Sequence, residues 1–151
     1  YEADITKINT ELIKSAVDIK NEITKNDYKE TSERMFLNFG HTIGHLIEID
    51  SQHTISHGEA VGIGILKALK ISEKITKLNP IITQNFENFL KKLELNTDYK
   101  FNSKPEQLEE LLFNDKKFSK GIVKYVLLKN VGEPLLVDFN LNDLLNEVTD
   151  G

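Results

Sequence analysis

All four histidines of this 151-residue chain, His41, His45, His53 and His57, fall in one stretch, RMFLNFGHTIGHLIEIDSQHTISHGE, running from Arg34 to Glu59. Read as a helix at about 100° per residue, Arg34, Asn38, His41 and His45 stand at i, i+4, i+7 and i+11 and line one narrow stripe. Phe36, Phe39, Ile43, Leu46 and Ile47 fall on the opposite side. A solvent-facing stripe would normally carry Lys and Glu, which form helices better than Asn and His do. One guanidinium, one amide and two imidazoles instead make a face that helix stability does not explain. Neutral imidazole nitrogens at about 2.0–2.1 Å are standard ligands for zinc and similar ions.

Two elements must hold these groups. The first is the histidine helix itself, in which Gly40 and Gly44 each cost roughly 1 kcal/mol relative to Ala. Small residues one turn apart admit another backbone or a ligand. The second follows a loop from Asp50 to Ile55: Ser56 with Glu59 three residues on is a capping-box signal, predicting a helix that runs on through AVGIGILKALKISEKI. His57 then sits in its first turn, facing back toward His41 and His45. His53 lies in the polar loop and reads as an ordinary solvent-facing histidine.

The length is that of a single domain, and 39% hydrophobic residues suffice for a core. A net charge of −5 argues against nucleic acid as a partner. The absence of cysteine excludes disulfides and thiolate metal sites and fits a reducing cytoplasm. No apolar run approaches the roughly 18–20 residues of a membrane span. The opening Tyr1-Glu2-Ala3-Asp4 is no signal peptide, and the missing initiator methionine is consistent with a piece of a longer protein.

Around the two histidine-bearing helices the periodicities predict a mainly α, helical bundle-like domain with a small β-hairpin near the C-terminus. A first amphipathic helix is expected over Asp4 to Thr24, with Ile5, Ile8, Leu12, Ala16, Ile19 and Ile23 as its core-facing stripe and Lys20 at the border. Asn79-Pro80 should open a helix with Ile81, Phe86, Phe89 and Leu90 inward. Ser103-Lys104-Pro105-Glu106 repeats the capping pattern before a helix through Leu112, ending near Asp115-Lys116-Lys117. Strands are expected at Ile122 to Leu128 and Pro134 to Phe139, joined by Lys129 to Glu133, with a closing helix from Leu141 to Val148. Gly62 and Gly64 do not make a dinucleotide fingerprint, because no strand precedes them and the third glycine is missing; close helix packing at Gly62 explains them better.

The run Asn38-Phe39-Gly40-His41-Thr42-Ile43-Gly44-His45, then Ile47-Glu48, then His57-Gly58-Glu59-Ala60-Val61 with Gly64, resembles the C-terminal domain of the 3-dehydroquinate synthases. Ile19-Lys20, Asp27, Glu30 and Arg34 support it upstream, and Asp115-Lys116-Lys117, Val126-Leu127-Leu128 and Gly132-Glu133 downstream. The resemblance covers essentially the whole chain, departing from the family pattern at Ser32 and Leu46.

The resemblance implies that His41 and His57 are the two zinc (or cobalt) ligands on this half, with His45 facing substrate. Arg34 and Asn38 would bind the substrate's carboxylate or hydroxyls, and Lys20 with Lys116 or Lys117 would add positive charge. The implied substrate is 3-deoxy-D-arabino-heptulosonate 7-phosphate, converted to 3-dehydroquinate and phosphate on the route to aromatic amino acids, with NAD as the transient oxidant. An N-terminal domain that binds NAD and supplies the third zinc ligand is absent, so the chain alone should be inactive. A cytoplasmic homodimer is the implied assembly.

Two rival readings follow from the same residues. Metal-dependent alcohol and glycerol dehydrogenases also use His-x-x-x-His followed by His-Gly, and related sugar-phosphate cyclases build inosose or valiolone skeletons. A helical module with a structural zinc on His41, His45 and His57 would need a fourth ligand, for which His53 and Glu59 are the candidates.

Overall fold

The computed structural model describes residues 10–26, 33–113 and 121–149. The chain divides into two compact units, Tyr1–Leu37 and Asn38–Gly151. In the first, helix α1 spans Thr10–Asn26. Its expected core-facing stripe is not buried: Leu12 is 65% and Ile19 55% exposed, and Ala16 is exposed as well. Periodicity shows that a helix has an apolar face, not what covers it, and among the described residues of this unit no second apolar layer does. Ile5 and Ile8 lie outside the described residues, as do Asp27 and Glu30.

The second unit contains α2 (His41–Asp50), α3 (His57–Thr76), α4 (Pro80–Lys92), α5 (Pro105–Phe113), a hairpin of β1 (Ile122–Asn130) and β2 (Glu133–Asn140), and α6 (Leu141–Thr149). This is the mainly α architecture with a C-terminal hairpin that the periodicities predict. Its core joins Ile43, Leu46 and Ile47 of α2 to Ala60, Ile63 and Ile71 of α3. Tyr125 and Leu127 of β1 and Leu141, Leu144 and Leu145 of α6 complete it.

The histidine helix is not the continuous helix expected. A 3-10 turn occupies Glu33–Asn38, and the chain then turns through Phe39 and Gly40 before α2 begins at His41. Gly40 is left-handed, with φ 77°. The cause is the crossing of α2 and α3, which touch through their backbones. A Cβ on Gly64 would lie 2.1 Å from the Gly40 carbonyl oxygen, one on Gly40 2.5 Å from the Ile65 nitrogen, and one on Gly44 3.1 Å from the Val61 Cα. Gly40 and Gly44 therefore do admit another backbone, and Gly40 alone tolerates the turn that starts α2 against it. The stripe drawn through Arg34, Asn38, His41 and His45 required unbroken α-helix and does not exist as drawn.

Local signals elsewhere were realised more directly. Ser56 caps α3, its Oγ accepting from the Glu59 amide at 3.4 Å. The Glu59 carboxylate does not complete a reciprocal box; it accepts from Asn96 Nδ2 at 2.6 Å. Asn79 caps α4 through the Ile81 amide at 3.1 Å, with Pro80 in the first turn. Ile81 itself is 49% exposed rather than inward, since it stands nine residues, half a helical revolution, from buried Leu90. At Gly62 the packing is close: a Cβ there would lie 3.3 Å from Leu90 Cδ2.

Ser103 does not cap α5 as expected. The Lys104 carbonyl receives the amides of Gln107 and Leu108, and Gln107 Oε1 reaches back to the Lys104 amide at 3.0 Å. Ser103 is drawn instead to Asp50. In the hairpin the strands pair antiparallel with Tyr125 opposite Val137 and run on, through a bulge between Leu128 and Asn130, to the Asn130–Glu133 pair, which leaves Val131-Gly132 as the connection where five residues are expected. Gly132 takes φ 79°, as the turn demands.

Candidate functional site

Position 41 opens α2, position 45 lies one turn on, and position 57 opens α3. The glycine-lined crossing of the two helices sets their separation, so the three imidazoles meet. Ring centroids lie 5.6 Å apart for His41 and His57, 5.9 Å for His41 and His45, and 5.9 Å for His45 and His57. His57 does face back toward His41 and His45. Its place follows from the Ser56 cap, which starts α3 one residue before it.

Hydrogen bonding decides which nitrogens are available. His41 Nδ1 lies 3.2 Å from the Phe39 carbonyl oxygen, and His57 Nδ1 lies 3.0 Å from Glu48 Oε2. A carbonyl and a carboxylate accept, so both Nδ1 atoms carry a proton, and in the neutral rings Nε2 is the nitrogen with the lone pair. Neutral imidazoles such as these, with ring centroids 5.6 Å apart, are of the donor type that a zinc-like ion takes at about 2.0–2.1 Å. Zinc and cobalt both suit such donors. Among the described residues, the donor atoms of His45, Glu48 and His57 lie within 4.8 Å of one another and form a group of metal-competent side chains. His41 does not belong to that group, and neither do His53 and Glu59. His53 is exposed on a turn with φ 59°, and Glu59 is held by Asn96.

The sequence marks Glu48 only as part of the Ile47-Glu48 pair. It stands seven residues after His41 and three after His45, on the same face of α2, and that spacing was the available signal. Its carboxylate is 17% exposed, whereas the His57 ring is 57% exposed.

Two residues beyond Glu48, the end of α2 is pinned. Asp50 accepts from the Tyr99 hydroxyl at 2.7 Å and from the amides of Asn102 and Ser103 at 2.8 and 2.9 Å. Burial pushes the Asp50 carboxyl up, but the hydrogen bonds from Ser103, Asn102 and Tyr99 outweigh it and leave it below the ordinary value. Burial, then the bond to Asp50, raises the Tyr99 phenol to about 12. This network ties the loop before α5 to the helix that bears His41 and His45.

Of the other expected site residues, Asn38 ends the 3-10 turn and is half-buried. Lys20 and Arg34 belong to the first unit, Lys20 exposed on α1 and Arg34 half-buried in the 3-10 turn. Lys116 and Lys117 lie outside the described residues.

The family model of the 3-dehydroquinate synthase C-terminal domain matches residues 2–118, which include both histidine-bearing helices. The chain belongs to the 3-dehydroquinate synthase C-terminal family. It is similar to the 3-dehydroquinate synthase of Clostridium tetani, at 39% identity over 86% of this chain and 35% of that protein. The Clostridium perfringens synthase matches at 42% identity over 82% of this chain and 35% of its own length. The chain thus spans about a third of the length of these relatives.

Among solved structures, a 2-deoxy-scyllo-inosose synthase superposes with a TM-score of 0.71 at 26% identity, covering 88% of this chain and 38% of that one. Another structure of a 2-deoxy-scyllo-inosose synthase, complexed with carbaglucose-6-phosphate, NAD+ and Co2+, gives 0.67 at 26% identity over 81% of this chain and 36% of that one. The helical fold with its hairpin is thus the fold of the family's C-terminal domain, and its relatives are synthases that include sugar-phosphate cyclases. Among the described residues, no helix is long and apolar enough to cross a membrane.

Proposed function

We propose that this chain is the metal- and substrate-binding half of a 3-dehydroquinate synthase. In this reading it acts on 3-deoxy-D-arabino-heptulosonate 7-phosphate, yields 3-dehydroquinate and phosphate, and is inactive alone. The observation that carries the reading is the imidazole triangle, built on the segment that the family model matches, with Nδ1 of His41 and of His57 committed to acceptors. His41 and His57 would hold zinc or cobalt through Nε2. When bound, that ion polarises a substrate hydroxyl and holds it in register. His45, on the third corner, faces the substrate. Arg34 grips the carboxylate, Asn38 binds hydroxyls, and Lys20 with Lys116 or Lys117 neutralises the phosphate; the substrate's charges call for these types.

A third ligand and the NAD site belong to an N-terminal domain outside this chain, consistent with the share of the relatives' length that the chain spans. The work of this half is orientation, which suits groups mounted on two helices locked backbone to backbone. The homodimer and cytoplasmic location implied by the family belong to the same proposal.

The test is phosphate release by the full-length protein. Arg34→Ala should lower kcat/KM by roughly two orders of magnitude, the loss of a bidentate charge-assisted contact worth about 3 kcal/mol. Unchanged kcat/KM would remove Arg34 from the site. The second reading, a related sugar-phosphate cyclase, is favoured by the two structural neighbours. It would prevail if a hexose 6-phosphate were turned over and the heptulosonate were not.

A further inference from the structure

We propose that Glu48 is a positioning residue for the metal: its carboxylate fixes the tautomer and ring orientation of His57, so that Nε2 is the atom presented to the ion. The inference rests on the reading of His57 as a metal ligand.

His57 is the first residue of α3 and its side chain is more than half exposed, so packing alone does little to hold its ring. Glu48, by contrast, is mostly buried on α2, and its Oε2 meets His57 Nδ1 at 3.0 Å across the helix crossing. A carboxylate on Nδ1–H settles two things together: the proton sits on Nδ1 and the ring plane turns toward α2, so that in the neutral ring the lone pair is on Nε2. His41 reaches the same state by another route, through the Phe39 carbonyl at 3.2 Å. The pair thus shares one tautomer, one member set by backbone and the other by Glu48. Only the second can be altered by substitution.

A competing role exists on the same atoms, since the donors of Glu48, His45 and His57 lie within 4.8 Å of one another and Glu48 could ligate the ion directly. The 3.0 Å contact favours positioning, because it commits Oε2 to His57 Nδ1 and leaves only Oε1 for an ion. Glutamine separates the two roles. Its amide oxygen still accepts from Nδ1–H, whereas a neutral amide is a poor substitute for a carboxylate ligand.

The experiment is a zinc titration by calorimetry on the full-length protein. It compares wild type, Glu48→Gln, Glu48→Ala and His57→Ala, with imidazole ¹⁵N spectra of the metal-free forms. Expected is a loss of about tenfold in zinc affinity for Glu48→Ala. Glu48→Gln should recover most of it, and the His57 nitrogens should shift toward a tautomer mixture only in the alanine variant. Wild-type zinc binding and an unchanged His57 tautomer in Glu48→Ala would overturn the proposal while leaving the metal reading intact. Equal loss of zinc in Glu48→Gln, Glu48→Ala and His57→Ala would make Glu48 a ligand and overturn it differently. Undiminished zinc binding by His57→Ala would overturn the metal reading and this proposal with it.

Discussion

Replacing Gly64 by alanine should damage the chain far more than its helical position suggests. In a helix interior, glycine to alanine normally adds about 0.5–1 kcal/mol of stability. At Gly64 the new Cβ would stand 2.1 Å from the Gly40 carbonyl oxygen, 2.9 Å from the Gly44 nitrogen and 3.1 Å from the Gly40 carbonyl carbon. All three are backbone atoms, so no rotamer change relieves the overlap and α2 must move off α3. Overpacking costs about 1–3 kcal/mol where side chains can yield; with backbone on both sides the upper end applies, for a net loss of about 2 kcal/mol or more. Gly62→Ala is the internal control. Its Cβ would meet only the tip of Leu90, at 3.3 Å, so the propensity gain should leave that variant neutral or up to about 1 kcal/mol more stable. Urea denaturation followed by circular dichroism reads both. Because the same crossing sets the separation of His41 and His57, zinc affinity should fall in Gly64→Ala and hold in Gly62→Ala. A Gly64→Ala chain as stable as wild type would refute the backbone-contact account of the site.

Asp50→Asn should cost on the order of 2–3 kcal/mol, because an amide cannot accept from Tyr99 and two backbone amides as a carboxylate does. The Asp50 carboxyl is depressed in the folded state. Its contribution is therefore full above the ordinary carboxylate value and lost as pH falls through the lower folded value. Acid titration of stability should show this loss in wild type and not in Asp50→Asn, and parallel curves would contradict it. Tyr125 is buried with a hydroxyl that has no hydrogen-bond partner among the described residues. Tyr125→Phe should therefore raise stability by about 1 kcal/mol, whereas Tyr99→Phe, losing its bond to Asp50, should lower it by a similar amount. A lower urea midpoint for Tyr125→Phe would show that the hydroxyl is satisfied.

Features set by neighbours in the chain were legible in the sequence, and those set by distant partners were not. Ser56 and Asn79 announce their helices within three residues, and the short apolar runs of β1 and β2 on either side of Gly132 mark a hairpin by themselves. The place of His57 opposite His41 and His45 follows from such a local signal. The break at Gly40 does not, because a glycine in a helical pattern reads alike whether it admits a neighbouring backbone or turns left-handed. The partners that decide it, Gly64 and Ile65, come more than twenty residues later. Ser103 carries the letters of a cap, yet Asp50, about fifty residues upstream, competes for it and wins. The stripe of α1 shows the converse: Leu12 and Ile19 form an apolar face in the sequence and remain exposed in the structure. For Glu48 the spacing from His41 was present, and only the ring of His57 gave it meaning.

The central claim is that His41 and His57 hold the ion and His45 does not, and zinc calorimetry on this chain and its three single alanine variants tests it most directly. Expected are weak binding in wild type, a loss of about two orders of magnitude or more in His41→Ala and His57→Ala, beyond what an outer-shell change causes, and near-wild-type affinity in His45→Ala. Tight binding abolished by His45→Ala and untouched by His41→Ala would place the ion among His45, Glu48 and His57 and contradict it.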